Sequence, residues 1–328
     1  MKLIVQIPCY NEENTLPETV ADIPRKIKGI DEIEILIIDD GSTDNTVNVA
    51  RKVGVDHIVK NSKNRGLART FKTGIDACLQ LGADIIVNTD GDNQYKGQDI
   101  PKLVRPLLEE NMDIVVGDRQ TDKINHFSTS KKKMQKFGSF IVRMLSETEV
   151  PDAVSGFRAF KREAAMQMNI VSPFSYTIET IIQAGKKHMA VTSVAIGTNP
   201  KTRESRLFKS IPVFVKNQMS TIVRMYTMYQ PLRVFFYIGC IFMILGLIPS
   251  VRFLFYFFTG NGAGHIQSLI FAAIMYIIGF QVFMIGIVAD VIGFNRKLIE
   301  ETLLRVKKME MVGEKMSNIK EDFCDEKK

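Results

Sequence analysis

The chain has 328 residues, of which 45% are hydrophobic, and a formal net charge of +7 at pH 7. This length exceeds that of one small domain and allows one large domain with an appendage. The four cysteines lack CxxC spacing and the four histidines are equally dispersed, so neither a disulfide framework nor a zinc site is indicated.

The N-terminal part of the chain alternates short apolar runs with helical patterns. Thr15 and Glu18 form the capping-box pattern of a helix that would run toward Lys28, and further helices are predicted after Thr43 and Gly66. Strands are predicted at residues 3–7, 35–38, 57–59, 85–87, 114–116 and 191–196. This alternation favours right-handed βαβ units and a mostly parallel sheet.

Polar clusters follow three of these predicted strands, at residues 9–13, 39–43 and 89–94. Ligands bind beyond the carboxyl ends of the strands in such sheets, so we expect the clusters to share one site. Neither GxGxxG after the first strand nor GxxxxGK[ST] occurs, which disfavours the common dinucleotide and phosphate loops. Asp90-Gly91-Asp92 is the pattern of an ordinary turn, but it also offers hard oxygen ligands to Mg²⁺ or Mn²⁺. We therefore predict a metal-dependent nucleotide site.

Two basic segments follow. Seven Lys and Arg residues between Arg119 and Arg143 predict a basic helix face exposed to water. Residues 201–233 contain seven more, with Glu204 as the one acid, interleaved with apolar and aromatic residues. That mixture at helical spacing predicts helices in a membrane interface, with nucleic acid as the competing partner.

Two long apolar stretches decide between these partners. Residues 234–258 and 266–293 each exceed the roughly 20 residues that a bilayer core requires, so we expect two membrane spans and no nucleic-acid partner. The connector at 259–265 has no Lys or Arg, whereas both outer flanks are basic. The positive-inside rule then predicts that the N-terminal region and an exposed amphipathic tail lie in the cytoplasm. No signal-peptide pattern precedes the first strand, in agreement with that location.

Six motifs in order resemble the family 2 glycosyltransferases. Four of them are PCYNEE at 8–13, IDDGSTDNT at 38–46, NRGLAR at 64–69 and TDGDNQ at 89–94. SGFR at 155–158 and RESR at 203–206 narrow the resemblance to the polyprenyl-phosphate group, to which dolichyl-phosphate mannose synthases belong. The resemblance covers about residues 1–210 and implies an α/β GT-A fold with a mostly parallel mixed sheet.

The resemblance also implies domain limits and site residues. We expect a catalytic domain at 1–207, interfacial helices at 208–232, a two-helix transmembrane hairpin at 233–295 and a cytoplasmic tail at 296–328. The metal ligands would be Asp90, Asp92 and Gln94, with Mg²⁺ or Mn²⁺ as cofactor. Catalysis would depend on Asp92, Arg119 and Arg158, the arginines facing the sugar and acceptor phosphates. The donor would be bound by Pro8, Tyr10, Glu12, Asp39, Asp90 and Gly91, and by Arg203 and Lys209 from a mobile loop.

The implied activity is inverting transfer of a hexosyl-type sugar from a UDP- or GDP-linked donor to a polyprenyl phosphate at the cytoplasmic membrane face. The product would serve cell-envelope glycan synthesis or protein glycosylation. Relatives often have Ala-Asp-Leu-Gln and paired prolines where this chain has Gly91-Asp92-Asn93-Gln94 and Tyr95-Lys96-Gly97, so the donor stays open. The chain has no Trp, which excludes the Gln-x-x-Arg-Trp motif of processive members. Transfer to a diacylglycerol-type hydroxyl, a non-catalytic membrane scaffold with a vestigial nucleotide site, and a homo-oligomer also stay open.

Overall fold

A computed structural model of the chain describes residues 1–120, 129–172, 175–200, 211–260 and 265–325. The strands are β1 (Lys2–Cys9), β2 (Glu32–Asp39), β3 (His57–Lys60), β4 (Ile85–Asn88), β5 (Ile114–Asp118), β6 (Arg158–Lys161) and β7 (Val191–Ala195). The helices are α1 (Leu16–Ala21), α2 (Thr46–Lys52), α3 (Leu67–Gln80), α4 (Ile100–Glu109), α5 (Thr129–Ser146), α6 (Arg162–Gln167), α7 (Thr177–Lys186), α8 (Ile211–Tyr229), α9 (Pro231–Phe258) and α10 (Ile266–Asp325). Contacts group them into two compact units, Met1–Ile222 with Leu304–Lys328, and Val223–Leu303.

The first unit is built on one seven-stranded sheet in the order β3-β2-β1-β4-β6-β5-β7. The strands β1, β2, β3 and β4 pair in parallel, and β7 pairs in parallel with β5. The central strands β1, β2 and β4 are buried along most of their length, which explains their nearly continuous Ile, Leu and Val runs. The predicted mostly parallel α/β sheet is confirmed.

The sequence patterns missed one strand and overextended one helix. β6 pairs antiparallel with both β4 and β5, and it escaped prediction because it begins with the charged Arg158. α1 ends at Ala21 rather than near Lys28, and the Thr15 side chain makes no capping bond to its helix. The capping-box prediction is therefore wrong, because the Thr15 hydroxyl has partners elsewhere in the fold.

The second unit holds two apolar helices long enough to cross a membrane. Their candidate spans are Pro231–Phe258 and Ile266–Met311. Only 11% and 17% of their most apolar windows are buried, so these helices are not the core of a water-soluble unit. Within the pair, the Ser250 hydroxyl lies 3.1 Å from the Tyr276 hydroxyl, a polar contact between otherwise apolar helices.

The tail differs from the exposed helix expected after Arg296. α10 continues without a break through the tail, and the segment from Leu304 groups with the sheet unit. Lys307 Nζ lies 3.2 Å from Asp76 Oδ1 on α3, and Lys307 is only 14% exposed. The Arg162 guanidinium donates to the Met311 sulfur over 3.2 Å. This part of the tail packs against the catalytic unit.

Candidate active site

The three predicted polar clusters lie together at the carboxyl-terminal edge of the sheet. β2, β1 and β4 are neighbours, so the loops that follow Asp39, Cys9 and Asn88 meet there. The Asn11 backbone N–H donates to the Ser42 hydroxyl over 2.9 Å, joining the first two loops. Glu12 makes a second link, because its backbone N–H donates to the Thr46 hydroxyl over 2.8 Å.

Thr15 joins the first loop to the acidic loop at residues 90–92. Its hydroxyl lies 2.8 Å from the Gly91 carbonyl oxygen and 2.9 Å from a Glu12 carboxylate oxygen, and Glu12 is only 5% exposed. A Cβ on residue 91 would lie 3.0 Å from Cys9 Sγ and 3.3 Å from Glu12 Cγ. Residue 91 is therefore glycine because the two loops approach closely.

Asp90 packs against the backbone of Gly156. A Cβ on Gly156 would lie 3.2 Å from both Asp90 carboxylate oxygens and 2.8 Å from the Tyr176 hydroxyl oxygen. The Gly156 N–H donates to the Tyr95 hydroxyl over 2.9 Å, and its carbonyl accepts from Asn88 Nδ2 over 2.8 Å. These bonds hold the SGFR segment against the acidic loop.

The two buried tyrosines of this network are neutral hydrogen-bonding groups. Burial raises the pKa of Tyr95 to about 12 and raises the pKa of Tyr176 well above its usual value, and the nearby Asp90 charge adds to both shifts. Asn88 Nδ2 also donates to the Tyr176 hydroxyl over 2.8 Å, and the Tyr176 ring stacks on Phe71 with 3.8 Å between centroids. Both phenols keep their protons at neutral pH, so they hold the Gly156 backbone by hydrogen bonds rather than act as bases.

Arg119 forms a bidentate pair with Asp152. Arg119 Nε lies 2.7 Å from Asp152 Oδ2 and Nη2 lies 3.0 Å from Oδ1. The Asp152 side chain is 3% exposed and that of Arg119 is 10% exposed. Burial lowers the pKa of Arg119, but the charge and hydrogen bonds of Asp152, together with smaller contributions that include the Asp90 charge, outweigh it and keep that pKa above its usual value. Arg119 is therefore a fixed cation, and its predicted contact with a phosphate stays a prediction.

Arg158 lies inside the protein and does not face the site. It is 0% exposed, and its guanidinium donates to the carbonyls of Ser155, Ala153 and Thr177 over 2.8, 2.8 and 2.7 Å. Burial lowers the pKa of Arg158 to about 10. The expectation that Arg158 faces a phosphate is corrected, because carbonyl oxygens of the SGFR turn and of α7 take up its donors.

The remaining donor residues lie on β1 and β2. Pro8 is buried within β1, and Tyr10 follows that strand half-buried. Asp39 is 0% exposed and accepts from the Ser42 N–H over 3.2 Å. The neighbouring Asp40, which the motif did not assign, accepts from the backbone N–H groups of Arg65 and Gly66 over 2.9 Å. Asp40 therefore provides hydrogen-bond acceptors for backbone N–H groups just before the first turn of α3.

The acidic loop fits a hard divalent ion that completes its shell with substrate oxygens. Asp92 Oδ1 accepts from the Gln94 N–H over 3.2 Å, and the Gln94 carbonyl accepts from the Asn199 N–H over 2.9 Å. Within the described ranges, no three His, Cys, Asp or Glu side chains are grouped as a complete metal cage. Two carboxylates and an amide are the donor set that Mg²⁺ accepts beside substrate phosphates. The predicted Arg203 and Lys209 lie outside the described residues.

Four buried residues of the site were not predicted from the sequence: Asn88, Tyr95, Asp152 and Tyr176. Asn88 gave a usable signal, because it is a polar residue that closes an otherwise apolar buried strand. Asp152 gave no such signal in the sequence, since its partner Arg119 is distant along the chain.

Two parts of the chain match known protein families. Residues 4–168 match the family Glycosyl transferase family 2, and residues 230–294 match the GtrB C-terminal hairpin. The chain is 34% identical to an uncharacterised protein of Methanocaldococcus jannaschii over 227 residues, covering 64% of this chain and 91% of that protein. It is 28% identical to a UDP-N-acetylglucosamine–dolichyl-phosphate N-acetylglucosaminyltransferase of Methanococcus voltae, covering 58% of this chain and 83% of that protein.

Solved structures support the fold. Glucosyl-3-phosphoglycerate synthase from Mycobacterium tuberculosis, crystallised with Mn²⁺, UDP and phosphoglyceric acid, superposes with a TM-score of 0.55 at 20% identity. The match covers 69% of this chain and 78% of that chain. Such a likeness establishes the shared GT-A architecture. The matched family covers most of β1, strands β2 to β6 and the acidic loop, and on that evidence the chain belongs to glycosyl transferase family 2.

Proposed function

We propose that this glycosyltransferase moves a hexosyl-type sugar from a UDP- or GDP-linked donor to a polyprenyl phosphate at the cytoplasmic membrane face. The observation that carries the proposal is the acidic loop at Asp90 and Asp92, whose Asp90 charge helps to raise the pKa of the buried Arg119, in a chain with two apolar helices of membrane length. The Methanococcus voltae relative, named for transfer to dolichyl phosphate, supports the same acceptor class. The sugar-lipid product would supply cell-envelope glycan synthesis or protein glycosylation.

The donor would lie at the carboxyl-terminal edge of the sheet. Pro8, Tyr10, Glu12 and Asp39 would surround the base and ribose, and Asp90, Asp92 and Gln94 would hold Mg²⁺ or Mn²⁺. When bound, such an ion neutralises the negative charge that develops on the departing diphosphate. Arg119 is held rigidly by Asp152, so its guanidinium can oppose phosphate charge without first being ordered. Arg203 and Lys209 would close over the donor.

The acceptor phosphate needs positioning more than it needs a base. A phosphate monoester has a second pKa of about 6, so it is already anionic at pH 7. The buried thiol and phenols near the acidic loop are neutral: burial, together with the Glu12 charge, keeps the pKa of the Cys9 thiol high, and both tyrosines keep their protons. The anomeric carbon becomes oxocarbenium-like, and attack opposite the leaving group gives a single displacement with inversion.

The membrane side of the proposal rests on helices α8, α9 and α10. α8 exposes Val213, Met219 and Val223 at its surface, with Lys216 and Arg224 also exposed on the same helix. Apolar and basic residues mixed in this way suit a helix at the headgroup level. The basic flanks of the two spans favour a cytoplasmic catalytic domain and tail.

The test is product formation by the full chain reconstituted in lipid nanodiscs. Labelled UDP- and GDP-sugars are supplied one at a time with undecaprenyl or dolichyl phosphate and Mn²⁺ or Mg²⁺. We expect one donor to give a mild-acid-labile glycolipid, lost in Asp92→Asn and kept in the exposed control Glu110→Gln. Label in diacylglycerol would show the hydroxyl acceptor instead. A wild-type phenotype of Asp92→Asn in cells would show a scaffold whose nucleotide site is vestigial.

A further inference from the structure

The outer face of α5 exposes two large apolar side chains. Phe140 is 54% exposed and Met144 is 62% exposed, and residues four apart lie on the same side of a helix. The inner face is well anchored, since Val142 is 0% exposed, Leu145 is 9% exposed and the helix packs against α7. Single exposed apolar residues are ordinary, but a pair on one stripe of an anchored helix marks a contact surface.

The charge of the same helix indicates what it contacts. Thr129–Ser146 contains five Lys and Arg residues and no Asp or Glu. Lys133, Lys136 and Arg143 occupy positions that fall near the Phe140–Met144 stripe at helical spacing. A helix with a buried inner face, a strongly basic composition and aromatic or aliphatic residues on its outer face has the composition of a membrane-surface helix.

We propose that the outer face of α5, defined by Phe140 and Met144 and by the positions of Lys133, Lys136 and Arg143 beside them, rests on anionic lipid headgroups. The catalytic unit then has a lipid contact of its own, on an element remote in sequence from the spans. Burying half of a large apolar side chain, or placing one basic residue near an anionic surface, shifts the contact equilibrium about fivefold. The charges of only two residues would change the contact equilibrium about thirtyfold.

This contact goes beyond the proposed transfer reaction, because it depends on neither the sugar nor the acceptor. Its test therefore uses fluorescence rather than activity. The chain contains no Trp, so a single introduced tryptophan is the one indole in the protein. Phe140→Trp is made in the full chain, which is placed in nanodiscs whose lipids carry bromine on their acyl chains, a quencher of indole emission that acts only at short range.

Two further variants calibrate the measurement. Lys52→Trp, at an exposed position at the end of α2, should be unquenched. Leu247→Trp, 53% exposed within α9, should be strongly quenched in every bilayer. Met144→Trp repeats the measurement on the same stripe if Phe140→Trp yields no folded protein.

We expect the α5 tryptophan to be quenched in phosphatidylglycerol bilayers, and much less in phosphatidylcholine bilayers or at high salt. Equal quenching in both bilayers would overturn the assignment to an anionic surface. If the emission of the α5 tryptophan is as unquenched as that of Lys52→Trp in all bilayers, the proposed contact between α5 and lipid is wrong. Blue-shifted but unquenched emission would also overturn it, since protein, such as a second copy of the chain, would then cover this face.

Discussion

Replacing Gly156 by alanine should damage the site by displacing Asp90. The new Cβ would lie 3.2 Å from both Asp90 oxygens and 2.8 Å from the Tyr176 hydroxyl, where ordinary contacts are 3.4–4 Å. Tyr176 cannot retreat easily, because it is 0% exposed and its ring stacks on Phe71 at 3.8 Å. The φ angle of Gly156 is not in the left-handed region, so the effect comes from space rather than backbone strain.

The expected magnitude follows from this crowding. Overpacking of a buried site costs about 1–3 kcal/mol, which lowers the Tm by roughly 2–12 °C for a unit of this size. A small displacement of the carboxylate that we propose as a metal ligand is expected to lower kcat/KM by up to about 100-fold. Both are measured on purified protein, by thermal unfolding and by glycolipid formation.

Gly138→Ala is the matched control for this variant. Its Cβ would meet nothing within 4 Å, and Gly138 lies within α5, so alanine should stabilise the helix by up to about 1 kcal/mol. Wild-type activity and Tm in Gly156→Ala would refute the contact between Gly156 and Asp90. Equal losses in both variants would show that the damage is not specific to the site.

Three further results are expected. Asp152→Asn leaves the Arg119 charge buried without its ion-pair partner, so it should lower the free energy of unfolding by about 3–5 kcal/mol, as measured by chemical unfolding. The control Glu109→Gln removes the partner of Arg105 in an exposed pair and should cost less than about 1 kcal/mol. Burial raises the pKa of Tyr95 to about 12 in the folded protein. The contribution of this shift to folding stability is therefore complete below pH 10 and is lost as the pH rises toward 12, by up to about 3 kcal/mol. Tyr95→Phe should flatten that part of the stability–pH curve, and an unchanged curve would contradict the pKa shift. Chelation of divalent ions should abolish sugar transfer, and added Mn²⁺ should restore it. Activity that survives exhaustive chelation would contradict the proposed metal dependence.

Local patterns predicted the sheet and the place of the site because parallel strands buried on both faces need continuous apolar runs. β1, β2 and β4 have such runs, and polar loops must follow each at the same edge. β6 escaped because Arg158 begins it, and burial of this arginine depends in part on the Thr177 carbonyl of the distant helix α7 accepting one of its donors. That contact depends on the tertiary structure, so it cannot be recognised from the local sequence.

The same limit applies to individual side chains of the site. Thr15 and Glu18 have the spacing of a capping box, yet Thr15 donates toward Gly91, which becomes a neighbour only once β1 and β4 pair. The Arg119–Asp152 pair and the packing of Asp90 on Gly156 likewise depend on β6 lying between β4 and β5. Motifs therefore located the acidic loop, while the groups that hold it in place required the fold.

The central claim is that an acceptor phosphate, already anionic, attacks the sugar without a protein base. The most direct test is a competition in which the reconstituted full chain receives one labelled nucleotide sugar, Mn²⁺ and equal amounts of a polyprenyl phosphate and the corresponding polyprenol. We predict that all label enters a mild-acid-labile polyprenyl-phosphate sugar with inverted anomeric configuration. Label in the polyprenol glycoside, or retention of configuration, would contradict the account.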